Sequence, residues 1–268
     1  MRKQIKRILF ICLCFLPAIL LPAHEFWLQP EKFICTRGET INIRFRLGEN
    51  FKGENWAGNA SRINSLKIYM GGAKDDLSKQ LSNEKGDSLQ VAMFDEGPAM
   101  VTFNSTNAFI ELEPQQFNAY LKEDGLQNAM DFRATNKQAD ASGKELYQRS
   151  VKTLIQVGSA TNDCFKQPTD LPLDIIPKNN PYTLKNNQAL TVKILFNKKP
   201  LVNSSVKLWH RLRDTTMLQN LKTNQKGELS FKVHTAGKWM LSTVRMSHLD
   251  NDAKADWQSY WGSLTWGY

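Results

Sequence analysis

The sequence lacks the short motifs that mark several common kinds of catalytic site. After residue 23 it contains no Gly-x-Ser-x-Gly elbow, no glycine-rich phosphate-binding loop, no His-Glu-x-x-His and no Cys-x-x-Cys. Glu111 and Glu113 stand at strand spacing, which favours a solvated strand face over the paired carboxylates of a glycosidase. We therefore expect a protein that is not an enzyme.

Clustered positive charge is also missing. The formal net charge of +9 is inflated by residues 1–23, which contain Arg2, Lys3, Lys6 and Arg7 and no acidic residue. Without these four, 31 of the 35 basic residues face 26 acidic ones, so the remaining chain carries about +5. Its basic residues are scattered, whereas nucleic-acid-binding proteins concentrate them in a patch. We expect no nucleic-acid partner.

Long apolar runs are limited to one segment, residues 8–21. This run is shorter than the roughly 20 residues that a membrane-spanning helix needs. The charged residues before it and Pro22-Ala23 after it are typical of a secretory signal that is cleaved after Ala23. An uncleaved membrane anchor is the alternative. We predict a signal peptide over residues 1–23 and a periplasmic protein that has no stable membrane insertion after cleavage.

Cysteine is scarce, and two of the four cysteines, Cys12 and Cys14, lie within the predicted signal. Cys35 and Cys164 remain in the exported part. An oxidising compartment permits a disulfide between them. Two buried free thiols are the alternative, and the sequence leaves both open.

Short alternating or β-branched runs separated by turn residues are abundant after residue 24, and this pattern is typical of β-strands. Residues 40–47 alternate cleanly. Residues 147–157 are compatible with a helix or a strand, and we favour a strand that ends at Gly158. Glu113-Pro114 predicts the start of a helix, followed by one or two helices before residue 150. A proline-rich crossing at residues 170–181 suggests a domain boundary.

The expected fold class is mainly β. We expect immunoglobulin-like or prealbumin-like β-sandwich modules, with a small helical insertion in the N-terminal half. The predicted domains are an N-terminal β-rich domain at residues 24–170 and a C-terminal immunoglobulin-like domain at residues 171–268.

Several stretches of the sequence resemble a known family. They are HEFWLQP at residues 24–30, YQRSVKTLIQVG at 147–158, PLDIIP at 172–177, NPY at 180–182, GKW at 237–239, DWQSY at 256–260 and LT at 264–265. Together they are similar to a family of secreted bacterial proteins of unknown function. Some of its members are described as periplasmic accessory components of nickel or cobalt uptake systems. The resemblance implies a β-rich fold whose C-terminal half is like the carboxypeptidase regulatory or collagen-binding-protein B modules.

His24 is the strongest candidate for a metal ligand. As the first residue of the exported chain it would carry a free α-amine beside its imidazole, and both are nitrogen donors for borderline metals. The α-amine has a reference pKa of about 7.7–8.0, so a metal can displace its proton near neutral pH. His248, between a predicted strand and a polar loop, is the predicted second ligand. The site would hold nickel, cobalt or copper.

Each of these ligand predictions has a simpler alternative. His24 could be an ordinary strand residue, and His248 a solvated turn residue. Glu25 points away from His24 in an extended strand, and we expect it to be a surface charge. His210 and His234 are weaker candidates, because they stand on a strand face and at a strand end.

These observations favour a periplasmic binding or accessory protein that binds a transition metal for an inner- or outer-membrane metal transporter. The alternative is a structural or protein-interaction module of the cell envelope that binds no metal. An envelope hydrolase or carbohydrate binder is a third and weaker hypothesis.

Overall fold

The structure is a computed structural model that describes residues 24–81 and 88–268. The predicted signal peptide at residues 1–23 lies outside this part of the chain. No helix within the described ranges is both long enough and apolar enough to cross a membrane.

The secondary structure is dominated by β-strands, with two short helices. The first half of the chain contains β1 (Glu25–Pro30), β2 (Ile34–Cys35), β3 (Thr40–Glu49), β4 (Lys52–Asn55), β5 (Ile63–Met70), β6 (Ala73–Asp76), β7 (Ser88–Ala92), β8 (Gly97–Ser105), β9 (Ala108–Leu112), α1 (Pro114–Glu123), α2 (Gln127–Thr135) and β10 (Gly143–Val157). The second half contains β11 (Leu173–Pro177), β12 (Ala189–Phe196), β13 (Lys199–Pro200), β14 (Ser205–Leu212), β15 (Thr215–Lys222), β16 (Glu228–Lys232), β17 (Lys238–His248) and β18 (Trp257–Gly267).

A ten-stranded central sheet connects both halves of the chain. Its order is β15-β14-β17-β18-β10-β8-β5-β6, and β2 and β9 also pair with β10. The last strand, β18, runs parallel to β10 and antiparallel to β17. Strands from both sides of the predicted boundary at residue 170 therefore share one sheet. The division into two domains stays a prediction.

Two smaller sheets cover opposite faces of the central sheet. The N-terminal sheet consists of β1, β3, β4 and β7, and the C-terminal sheet of β11, β12, β13 and β16. Alternate residues of a strand point to opposite faces. Accordingly, Val151 and Ile155 of β10 join the core of the N-terminal sheet, whereas Leu154 joins the core of the C-terminal sheet. The chain is thus a layered β-sandwich, and the predicted fold class is confirmed.

Local sequence patterns explain several of these elements. In β3 the buried Ile41, Ile43 and Phe45 alternate with more exposed residues, as expected for a strand with one core face. Helix α1 begins at Pro114, whose missing N–H is not needed in the first turn. Residues 147–157 lie in β10, so the strand interpretation is confirmed.

The two helices cover one end of the central sheet. Phe117, Tyr120 and Leu121 of α1 pack into one apolar cluster with Val244 of β17 and Trp257 of β18. Met240, on the same face of β17 as Val244, belongs to a neighbouring cluster that includes Trp27 of β1. The helices and β1 therefore cover the same face of the central sheet, and the start of β1 lies near their junction.

The two cysteines of the described residues are free thiols. Cys35 and Cys164 are both buried and unpaired. The Cys164 thiol lies 3.2 Å from the carbonyl oxygen of Tyr69, and burial raises its pKa to about 11. The alternative of two buried thiols is therefore the one that the structure shows.

Candidate functional site

Strand β1 is covered on both faces, and this places its first residues between two cavities. Phe26 and Leu28 point into the core of the N-terminal sheet. Trp27 points the other way and packs with Trp209 and with Phe51, whose ring centroid is 5.4 Å away. His24 and Glu25 follow the same alternation, so they line different cavities.

His24 lines an open cleft of about 750 Å³ beside the β3–β4 hairpin. Its Nε2 lies 3.6 Å from Oε1 of Glu49, the last residue of β3. Asn50 and Phe51 form the two-residue turn, both with positive φ (53° and 54°), as a tight hairpin with the twist of its strands requires. Packing of Phe51 against Trp27 stabilises this turn and so positions Glu49 beside His24.

Tyr147 and Arg149 of β10 form another wall of this cleft. The Arg149 guanidinium lies over the ring of Phe26, with Cζ 4.9 Å from the centroid, and 5.3 Å from the centroid of Tyr147. Arg149 is almost fully buried, with a relative exposure of 9 %. Burial lowers the pKa of its guanidinium, against the opposing effect of Tyr147 and Glu145.

Glu25 is not a surface charge, so that expectation is wrong. Its relative exposure is only 5 %. Lys207 of β14 brings a compensating cation, with Nζ 3.5 Å from Glu25 Oε1 and 2.7 Å from Asp124 Oδ1. Asp124 follows α1 directly. The ion cluster therefore links the start of β1, the end of α1 and β14.

A smaller cavity of about 230 Å³ adjoins this ion cluster and is also lined by Thr243 and Trp261. Burial raises the pKa of Glu25 to about 7 and that of Asp124 to about 6. Burial alone would lower the pKa of Lys207, but Asp124 and Glu25 outweigh it and raise that pKa above its ordinary value. Two buried carboxylates thus share one ammonium group.

Glu145 is a third buried acid on this side of the central sheet. The Ser259 hydroxyl and the Tyr120 hydroxyl, 3.2 Å from Oε1, donate hydrogen bonds to it. Burial raises its pKa to about 7 although these hydrogen bonds favour the ionised form.

His248 lies elsewhere, and the structure does not bring it to His24. Its ring stacks on Phe132 of α2 at 4.0 Å, and its Nδ1 lies 3.0 Å from Asp250 Oδ1. It pairs with Trp257 at the start of β18, whereas β1 contacts β18 at Ser263. Six strand residues span about 20 Å. His248 therefore helps to pack α2 onto β17, and its role as a metal ligand stays a prediction.

No group of three or more His, Cys, Asp or Glu side chains that could hold a metal is present among the described residues. Among these residues, the pair of His24 and Glu49 most resembles the predicted metal site. Glu49 and Arg149 were not among the residues predicted from the sequence. The signal for Glu49 is the turn that follows it. The signal for Arg149 is a charged residue within an otherwise apolar strand.

A family model for "Domain of unknown function (DUF4198)" matches residues 21–247 of the sequence. The chain belongs to the DUF4198 family. This confirms the predicted resemblance to a family of unknown function, while the link to nickel or cobalt uptake stays a prediction. No curated protein matches this DUF4198 chain.

Two solved structures of fibronectin type-III modules match the chain with low sequence identity and low TM-scores. The fibronectin(III)-like modules of Clostridium thermocellum CbhA are 9 % identical, with 88 % of this chain and 93 % of that chain covered and a TM-score of 0.21. A two-domain fibronectin type-III segment of chicken tenascin is also 9 % identical, with 89 % and 98 % covered and a TM-score of 0.22.

Proposed function

We propose that this DUF4198 protein is a periplasmic binding protein that takes up a nickel, cobalt or copper ion for a membrane transporter. The ion binds at His24, the first residue after signal cleavage. The observation that carries the proposal is the position of His24, whose Nε2 lies 3.6 Å from Glu49 Oε1 in a cleft of about 750 Å³.

The donor set of an amino-terminal histidine suits these metals. The α-amine and Nδ1 of one histidine can bind the same ion, and both are nitrogen ligands that nickel and copper favour. Nε2 then remains free to donate its proton to a carboxylate. Metal-binding histidines commonly donate their second ring N–H in this way, which fixes the tautomer and the ring orientation. Glu49 stands on that side of the His24 ring, so it is the proposed orienting group.

The structure also accounts for the exposure that an ion site needs. His24 is half-buried, and the side chain of Glu49 is 58 % exposed. An ion can therefore enter from solvent and leave to a transporter, while the buried strand that follows holds the His24 backbone in place.

The test starts with amino-terminal sequencing of the exported protein, which must begin at His24. Isothermal titration with nickel, cobalt and copper then measures affinity. We expect submicromolar binding of at least one of the ions, at least about tenfold weaker binding in His24→Ala, and about 10- to 100-fold weaker binding in Glu49→Gln. Acetylation of the α-amine of His24 keeps the imidazole but removes the amine as a ligand, and the acetylated chain must also lose affinity.

His210→Ala is the matched control, because that ring stacks on Trp239 and its Nε2 lies 2.9 Å from the carbonyl oxygen of Ala236. His248→Ala tests the predicted second ligand separately. Affinity that survives both His24→Ala and acetylation of the α-amine would refute the site.

A second candidate function is an interaction module of the cell envelope. Strand β15 is an edge of the central sheet and exposes Met217 (66 %) and Leu218 (46 %). An open edge with apolar side chains can pair with another chain. An envelope partner that co-purifies with the protein and is lost on Met217→Lys, together with no metal uptake, would favour this function.

A further inference from the structure

The Arg149 side chain is a buried cation that forms no ion pair within the described residues, although Tyr147 and Glu145 act on its charge. Tyr147 forms a side-chain hydrogen bond with the guanidinium, whereas the buried Nη1 of Arg149 has no hydrogen-bond partner. Glu145, four residues earlier on the same face of β10, hydrogen-bonds instead with Tyr120 and Ser259. Because the desolvation of a buried charge is costly unless it is paired, an unpaired guanidinium in this position calls for a ligand.

The surroundings of Arg149 define the shape of that ligand. The guanidinium lies against the rings of Phe26 and Tyr147. Arg149 and Tyr147 also line the cleft that contains His24. Its planar donor fork matches a planar oxyanion such as a carboxylate, which can accept two parallel hydrogen bonds.

The position of Phe26 relates Arg149 to the proposed metal site. His24 and Phe26 are two residues apart on the same side of β1, so their Cα atoms are separated by about 7 Å. The guanidinium lies over the Phe26 ring, and His24 lines the same cleft. The Arg149 and His24 side chains therefore line one cleft, which a small molecule with several carboxylates can occupy.

We propose that the cleft binds a small polycarboxylate, one carboxylate of which pairs with Arg149, and that the metal enters as the chelate of this molecule. The second part rests on the proposed function, because it needs the ion at His24. An amine and one imidazole fill only part of an ion's coordination positions, so the carboxylates of the carrier supply further ligands.

A carboxylate fits this cleft better than a phosphate. Glu49 and Glu54 also line it, and Lys52 is the other cation of its lining. The acidic side chains disfavour a compact dianion, whereas a polycarboxylate spreads its charge along the cleft. Sulfate and inorganic phosphate are therefore the comparison ligands.

Calorimetric titration of the metal-free chain with citrate tests the carboxylate part directly. We expect citrate to bind and phosphate to bind more weakly. Arg149→Met should bind citrate at least about tenfold more weakly, since a charge-assisted pair is lost. Methionine has a similar length and replaces an unpaired buried charge by an apolar side chain, so we expect the variant to fold. His210→Ala should bind metal-free citrate as the unaltered chain does, because His210 lies outside this cleft and stacks on Trp239.

A second measurement does not depend on any variant. Citrate should raise the thermal unfolding midpoint of the unaltered chain above that in chloride of equal ionic strength, because a ligand of the native state stabilises it. No rise with citrate, equal citrate binding in Arg149→Met, or tighter binding of phosphate would overturn the proposal.

Nickel titrations with and without citrate separate this inference from the proposed function. Tighter nickel uptake in the presence of citrate, lost in Arg149→Met, supports entry as a chelate. Citrate binding by a chain that takes up no metal would support the carboxylate site and refute metal binding. Metal uptake that citrate weakens, because it competes for the ion, would overturn entry as a chelate.

Discussion

Replacement of Glu145 by glutamine tests whether burial controls the charge of this acid. Glutamine keeps the shape of the side chain and a carbonyl oxygen that can accept the hydrogen bonds of Tyr120 and Ser259. Unlike Glu145, it cannot ionise. The variant therefore mimics the protonated form at every pH.

The pKa of Glu145 sets the size and the sign of the effect. Its pKa rises from 4.5 to about 7 on folding, so the folded state holds the proton more tightly than the unfolded state. The stability that Glu145 contributes is fully present below pH 4.5 and is lost as the pH rises to 7. At about 1.4 kcal/mol per pKa unit, the loss is about 3 kcal/mol at pH 8 and about 1 kcal/mol at pH 5.

Denaturant unfolding of both proteins at pH 5 and pH 8 measures this difference. We expect the advantage of Glu145→Gln over the unaltered chain to grow by about 2.5 kcal/mol between these pH values. Glu111→Gln is the control, since Glu111 is an exposed acid that accepts one hydrogen bond from Ser142. An advantage that stays constant with pH, or one that Glu111→Gln shares, would refute the reasoning.

Two further predictions concern other buried groups. Lys207→Met removes the cation between Glu25 and Asp124 and should lower the free energy of unfolding by about 3–5 kcal/mol near pH 8. Adding Asp124→Asn should restore part of it, and unchanged stability in denaturant would contradict the pairing. In a chain that begins at residue 24, a thiol reagent without reductant should react slowly with the native protein and count two thiols after unfolding, since Cys35 and Cys164 are free and buried. A count near zero would instead indicate a disulfide.

Local features of the fold could be predicted because they depend on neighbours in the sequence. The alternation of residues 40–47 reports one buried face, and β3 has that face. Pro114 marks the first turn of α1 for a reason that is independent of the rest of the protein. The family resemblance and the fold class followed from such features.

The candidate site could not be predicted in the same way, because its contacts join distant parts of the chain. Glu25 is buried because Lys207, 182 residues later, covers that side of β1. His24 and His248 are apart because strand register places His248 opposite Trp257. Arg149 of β10 lies against an aromatic ring because β1, from a distant part of the sequence, places Phe26 beside its guanidinium. None of these pairings leaves a periodic signal in the sequence.

The place of β18 in the central sheet has a consequence for the order of folding. This strand ends one residue before the end of the chain, yet it lies between β17 and β10. Before residues 257–267 form β18, β10 and β17 each lack one neighbouring strand. The β15-β14-β17 part of the central sheet is then not connected to the β10-β8-β5-β6 part. The strands of the two halves therefore join into one sheet only when residues 257–267 occupy the position between β17 and β10.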